Sequence, residues 1–213
     1  MIDSYEKLTI KKYKEVMVII NGNETEYVKN VELVAVLNDM ETSDVEDLPI
    51  GTFNTLLQST AFLYEEPKQR MVSTKYKLGG IELEAALNLQ KMTVAQYIDY
   101  QEYVKDTEKY LVEMLSVFLI PKGKKYCEGY DVIDVQKTIE DNMSIVDAIS
   151  LSAFFLALYQ SLIKATVTSL IKRMKKMRKK EKDLKMIEKM TEVITNLETV
   201  GVGFHSLTEF QKQ

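Results

Sequence analysis

From residue 144 to residue 200 the chain contains neither glycine nor proline. These are the two residues that most often end a helix, so this stretch predicts a long helical region. Ser144 stands where a helix N-cap is expected. Unbroken, such a helix would be roughly 80 Å long, so we expect a break within it. Residues 201–213 are predicted to form an irregular tail.

The character of this stretch changes along its length. Residues 148–163 are strongly apolar, whereas residues 164–189 carry eleven basic and three acidic side chains, a net charge of +8. Because the whole chain has a net charge of −4, the remaining residues together carry −12. Apolar residues recur at heptad spacing within the basic part, which is typical of a helix that packs along a neighbour. The residues predicted to form this packing seam are Leu170, Met177, Leu184, Ile187 and Ile194.

Residues 1–143 are predicted to form a helical body, because apolar residues recur there at the helical period. The exception is residues 72–87, where apolar and charged residues alternate on both sides of Gly79-Gly80, as in a β-hairpin with a tight turn. Lysines of one strand are expected to face glutamates of the other. The predicted fold class is mainly α: a helical domain with one small antiparallel β-hairpin and a long C-terminal helical extension, residues 144–200.

Local signals place several helix boundaries. Ser43, with Glu46 three residues later, predicts a capping box, and Thr93 predicts the start of a tyrosine-rich helix over residues 94–103. A further helix is expected over residues 109–120, where Pro121 would stop it.

The composition argues against catalysis. The chain has one cysteine, Cys127, and one histidine, His205. A disulfide within the chain is therefore excluded, and the usual multi-histidine metal sites and the Ser-His-Asp triad lack their residues. No nucleophile, base and orienting group come together in the sequence, so we predict a protein that is not an enzyme and binds no cofactor or metal.

The basic segment permits two interpretations. Seven of the nine residues 172–180 are basic, and such a helix would bind DNA or RNA through phosphates with strong salt dependence. Alternatively, it is a solvated face, or a face docked on an acidic neighbour, including the acidic remainder of this or another copy of the chain. The residues predicted to face a partner or DNA are Lys172, Arg173, Lys175, Lys176, Arg178, Lys179, Lys180 and Lys182.

Residues 145–163 are apolar enough to span a membrane and are followed by basic residues. They also include Asp147, Gln160 and three serines, and a buried core helix has the same pattern. We therefore predict a core helix and no membrane partner.

Several short stretches, taken in order, resemble proteins of one phage group. They are residues 8–13 (LTIKKY), 35–38 (AVLN), 48–53 (LPIGTF), 76–78 (YKL), 92–100 (MTVAQYIDY), 118–126 (FLIPKGKKY) and 153–156 (AFFL). The chain, over residues 5–165, is similar to small virion-associated proteins of crAss-like tailed phages of Bacteroidetes, from the cargo or the tail and portal region.

This resemblance implies a structural protein with no catalytic residues, localised in a virion that is assembled in the bacterial host cytoplasm. It would act through contacts with other virion proteins, as a homo- or hetero-oligomer, either as cargo packed in the particle or as a portal- or tail-region subunit. A related pattern occurs in tail assembly chaperones, which leave before maturation. The basic C-terminal helix departs from that pattern, and inside a particle it would lie against packaged DNA or a neighbouring subunit.

Overall fold

A computed structural model describes residues 1–88, 91–178 and 189–195, with side chains to residue 175 and again from residue 189. The chain divides into two compact units. The first consists of Met1–Ala86 and Thr93–Ser152, and the second of Leu87–Met92 with the chain from Ala153. The architecture is mainly α with a small antiparallel sheet, which confirms the predicted fold class.

Eight α-helices are described. They are α1 (Ile10–Asn21), α2 (Glu26–Asn38), α3 (Thr42–Glu46), α4 (Ile50–Gln58), α5 (Val94–Tyr103), α6 (Leu111–Phe118), α7 (Val132–Asn142) and α8 (Ile145–Arg178). Short 3₁₀ helices, Ser59–Tyr64 and Val104–Asp106, follow α4 and α5. Helix α8 passes from the first unit into the second and is continuous to Arg178. The predicted break can therefore lie only beyond that residue, outside the described residues.

Polar side chains begin several of these helices, as the sequence predicts. The Thr93 hydroxyl accepts the Gln96 backbone N–H, and the Gln96 side chain accepts the Thr93 N–H in return, which forms a capping box. At the start of α8, the Ser144 hydroxyl accepts the backbone N–H of Asp147 at 3.1 Å. Helix α3 contradicts its prediction, because its N-cap is Glu41 and Ser43 lies within the helix.

The hairpin consists of β1 (Lys75–Leu78) and β2 (Ile81–Ala85), joined by glycines with φ of +52° and +84°. A residue with a Cβ is strained at such positive φ values, which explains the Gly-Gly pair. Lys75 faces Glu84 and Lys77 faces Glu82, which confirms the predicted register. A third strand, β3 (Leu119–Pro121), pairs antiparallel with β2. The predicted helix over residues 109–120 is therefore wrong at its end, because strand pairing outweighs helix continuation there.

The core of the first unit is centred on α6, in which six of eight residues are buried. Phe118, 1% exposed, packs edge-on against Tyr100 with ring centroids 5.1 Å apart. The Gln96 side-chain amide donates to the Val117 carbonyl at 2.9 Å and so joins α5 to α6. Tyr100 therefore serves packing between α5 and α6.

The segment before the hairpin is held on the first turns of α8. The Arg70 guanidinium forms an ion pair with Asp147, and the Arg70 backbone N–H donates to the Ser150 hydroxyl at 3.0 Å. This pairing also raises the pKa of Arg70. Asp147, a polar residue in the apolar stretch, therefore has a partner within the first unit.

In the second unit, α8 continues from Ala153 with Phe155, Leu156, Tyr159 and Ile163 buried. From Lys164 onward the exposure changes, and no residue of 164–175 is buried. Residues 189–195 are again helical. The predicted tail, residues 201–213, lies outside the described residues.

Candidate interaction surface

The most unusual surface in the described part of the chain is the distal half of α8, residues 164–178. A run of residues with no glycine or proline keeps it helical. Lys164, Lys172, Arg173 and Lys175 are exposed, and none of them forms an ion pair with a described residue. This arrangement presents a concentrated positive charge that the described residues do not neutralise.

The predicted basic residues are distributed unevenly between described and undescribed positions. Lys172, Arg173 and Lys175 lie exposed on α8, as a partner-facing surface requires. Lys176 and Arg178 belong to the same helix, but their side chains lie outside the described part. Lys179, Lys180 and Lys182 lie outside the described residues.

The structure describes the side chains of two of the five residues in the predicted packing seam. Leu170 on α8 and Ile194 in residues 189–195 are both partly buried. Met177 is in α8 without a described side chain, and Leu184 and Ile187 lie outside the described residues.

Around Leu170 the structure shows a wider apolar stripe than the heptad pattern alone predicts. Val167, Leu170, Ile171 and Met174 follow one another at intervals of three, one and three residues, so they lie on one face of the helix. All four remain partly or largely exposed, and Ile171 is 38% exposed. The distal half of α8 therefore combines exposed cations with an incompletely buried apolar stripe.

An opposite charge pattern surrounds α3 in the first unit. Residues 39–47 contain five acidic and no basic residues. Val45 is buried with α2 residues Val31 and Val34, so α3 is anchored by its apolar side while its charged residues face outward. Four of these carboxylates, on Glu41, Asp44, Glu46 and Asp47, are exposed and have no ion pair with a described residue. We call these four residues the acidic surface.

The fifth acidic residue, Asp39, is already paired. Its carboxylate accepts a hydrogen bond from Lys12 Nζ at 2.5 Å, and this contact lowers the pKa of Asp39. Just after the acidic surface, Ile50 at the start of α4 is 74% exposed. Sequence reasoning missed this combination of exposed acids and an exposed apolar side chain.

A pocket of about 280 Å³ lies on the small sheet. Its lining consists of Lys75, Tyr76, Lys77, Glu82, Leu83, Glu84 and Lys122. Lys122 forms an ion pair with Glu82 at 2.7 Å, which lowers the pKa of Glu82. The residues that line the pocket include no histidine, cysteine or serine.

The loop after β3 is held to α5 by a tyrosine. The Tyr126 hydroxyl donates to Asp99 at 2.7 Å, and burial together with this hydrogen bond raises the pKa of Tyr126. The next residue, Cys127, is exposed and has a φ of +57°. No group of three or more His, Cys, Asp or Glu side chains is placed to hold a metal ion among the residues that the structure describes.

By length and composition, one helix in the described part, Ile145–Lys175, meets the criteria for a membrane span. Half of its most apolar window is buried within the protein, and core helices of water-soluble proteins meet the same criteria.

Comparison of the chain with protein-family models, curated proteins and solved structures finds no match.

Proposed function

We propose that this chain is a non-catalytic virion protein of a tailed phage that acts through contacts with other proteins. The observation that carries the proposal is the distal half of α8, where exposed cations flank an apolar stripe that no described residue covers completely. An apolar stripe on an exposed helix is stabilised when another polypeptide covers it. The sequence resemblance supports the placement in a phage particle, as packed cargo or as a portal- or tail-region subunit.

The chemistry of the first unit supports a role without catalysis. Some of its charged side chains form ion pairs within the fold: Arg70 binds Asp147, and Lys14 binds Glu140 at 2.7 Å. In the lining of the sheet pocket, Lys122 is engaged in an ion pair with Glu82. These features suit a rigid body that presents surfaces to neighbours.

Mass spectrometry of purified particles of the phage that encodes this chain tests the proposal. We expect the protein at a reproducible copy number, and cross-links from lysines of the distal half of α8 to other particle proteins. Abundance in infected-cell lysate together with absence from particles would favour the tail assembly chaperone instead.

A second candidate function is contact with nucleic acid through the same helix. It is favoured by the exposed side chains of Lys172, Arg173 and Lys175, since phosphate binding needs only a dense positive charge. The described distal half of α8 contains no aromatic side chain for base stacking, so duplex DNA is the relevant ligand. In this case affinity for duplex DNA falls steeply with salt and is lost when Arg173, Lys176 and Lys180 are replaced by alanine. Absence of binding at low salt excludes this function.

A further inference from the structure

We infer that the distal half of α8 in one copy of this chain docks on the acidic surface of a second copy. This inference rests on the proposed function in protein–protein contacts and names the partner. The two surfaces come from different units of the chain. The resulting contact is heterologous, joining different patches of the two copies.

The first argument is charge complementarity. Residues 164–189 carry a net charge of +8, and residues 39–47 carry five acidic residues with no basic one. The four carboxylates of the acidic surface and the four described cations of α8 have no ion pair with any described residue. Opposed potentials of this kind guide two surfaces together and fix their orientation.

The second argument concerns the apolar side chains. Phosphate binding does not require an apolar stripe, whereas Val167, Leu170, Ile171 and Met174 form one between the cations of α8. Three residues after the acidic surface, Ile50 is 74% exposed and offers an apolar side chain to a partner. Each surface thus offers both charged groups and an apolar side chain. This combination favours a protein partner over DNA.

Repulsion excludes a simpler arrangement. Two distal halves of α8 aligned side by side would place like charges together, and their repulsion opposes this arrangement. A heterologous contact avoids this repulsion and leaves one free surface of each kind on every pair. Further copies therefore add to form a closed ring or an open chain.

Charge reversal on the full-length chain tests the inference. The base-reversed variant carries Lys172→Glu, Arg173→Glu and Lys175→Glu. The acid-reversed variant carries Asp44→Lys, Glu46→Lys and Asp47→Lys. Sedimentation velocity over a concentration series measures association of the wild type, of each variant, and of an equimolar mixture of the two variants.

We expect the wild type to associate at low salt and to dissociate in about 1 M salt, where the Debye length falls to about 3 Å. Each variant alone should associate at least about a hundredfold more weakly. The mixture should regain association, because the unchanged α8 of the acid-reversed variant can dock on the unchanged acidic surface of the base-reversed variant. This recovery also shows that both variants are folded.

A matched control carries Glu65→Lys, Glu66→Lys and Glu108→Lys, three exposed acids elsewhere in the first unit. It has the same net charge as the acid-reversed variant and should associate as the wild type does. Equal weakening by this control would overturn the inference, since net charge alone would then be responsible.

Three other outcomes overturn the inference. The wild type stays monomeric at all concentrations, association persists in both variants, or the mixture stays monomeric. Monomeric wild type with salt-dependent binding to duplex DNA would assign α8 to nucleic acid instead. These results are independent of the mass spectrometry of particles. If the protein is monomeric but present in particles, the inference fails and the proposed function stands. If it associates but is absent from particles, the virion role fails and the inference stands.

Discussion

Helix α6 and the distal half of α8 are stabilised in different ways. In α6, six of eight residues are buried, whereas no residue of 164–175 on α8 is buried. A buried helix gains its stability from packing, while an exposed one depends on helix propensity and on continuity with a stable segment. The comparison indicates that α6 helps to define the fold and that the distal half of α8 is available for a partner.

Several cations of the first unit are paired, whereas the described cations on the distal half of α8 are not. Lys12, Lys14 and Lys122 in the first unit each form an ion pair with a carboxylate. Lys172, Arg173 and Lys175 on α8 have no such partner among the described residues. Unneutralised cations next to a partly exposed apolar stripe are therefore the property that sets this region apart.

The largest expected effect comes from Phe118→Ala in the core. Removing this buried ring should lower the free energy of unfolding by about 3–5 kcal/mol. Leu170→Ala, the matched change on α8, should lower it by less than about 1 kcal/mol, because Leu170 is only partly buried. Urea denaturation of the monomer, followed by circular dichroism, measures both. Equal losses in the free energy of unfolding would show that both helices depend on packing to the same degree.

An intermediate effect is expected at the loop after β3. Tyr126→Phe removes the hydrogen bond to Asp99 and should cost about 1 kcal/mol at neutral pH. Tyr27→Phe, at an exposed position on α2, serves as the control and should cost nothing measurable.

The same substitution should change the response to alkaline pH. Burial and Asp99 raise the pKa of Tyr126 in the folded state, whereas an unfolded tyrosine has a pKa of about 10. The unfolded chain therefore loses this proton first, and the wild type loses stability as the pH rises above about 10. In the Tyr126→Phe variant this loss should be smaller. Identical alkaline unfolding curves for both proteins would contradict the assignment.

The smallest effect is expected from Lys12→Met. It removes the partner of Asp39, so the pKa of Asp39 should rise towards its usual value, with a stability loss below about 1 kcal/mol. A lowered carboxyl pKa stabilises the fold above about pH 4, and that contribution disappears as the pH falls. Lys172→Met should shift no carboxyl pKa in the monomer. An NMR pH titration of the carboxyl groups measures both variants.

Much of the fold follows from local sequence signals. Alternation around Gly79-Gly80 predicts the hairpin, and the Lys75–Glu84 register follows from it. Thr93 predicts the start of α5 because capping involves only neighbouring residues. Strand β3 is not predictable in this way, since Ile120 and its neighbours continue a helical pattern and pair with β2 only in the folded chain.

The sequence identifies the candidate interaction surface only in part. The density of basic residues and the heptad spacing identify the helix that carries Lys172 and Leu170. The acidic surface was missed because α3 has only five residues, too few for a periodic pattern. Its signal was the run of five acidic residues without a lysine or arginine over residues 39–47.

Cys127 is the chain's one thiol, and it is exposed in the loop after β3. Oxidation can therefore join two chains at most, so any species larger than a dimer on a native gel would have to be held by non-covalent forces. The same residue accepts a single maleimide dye or spin label per chain. Assembly can thus be followed by fluorescence from one defined position without introducing a new cysteine.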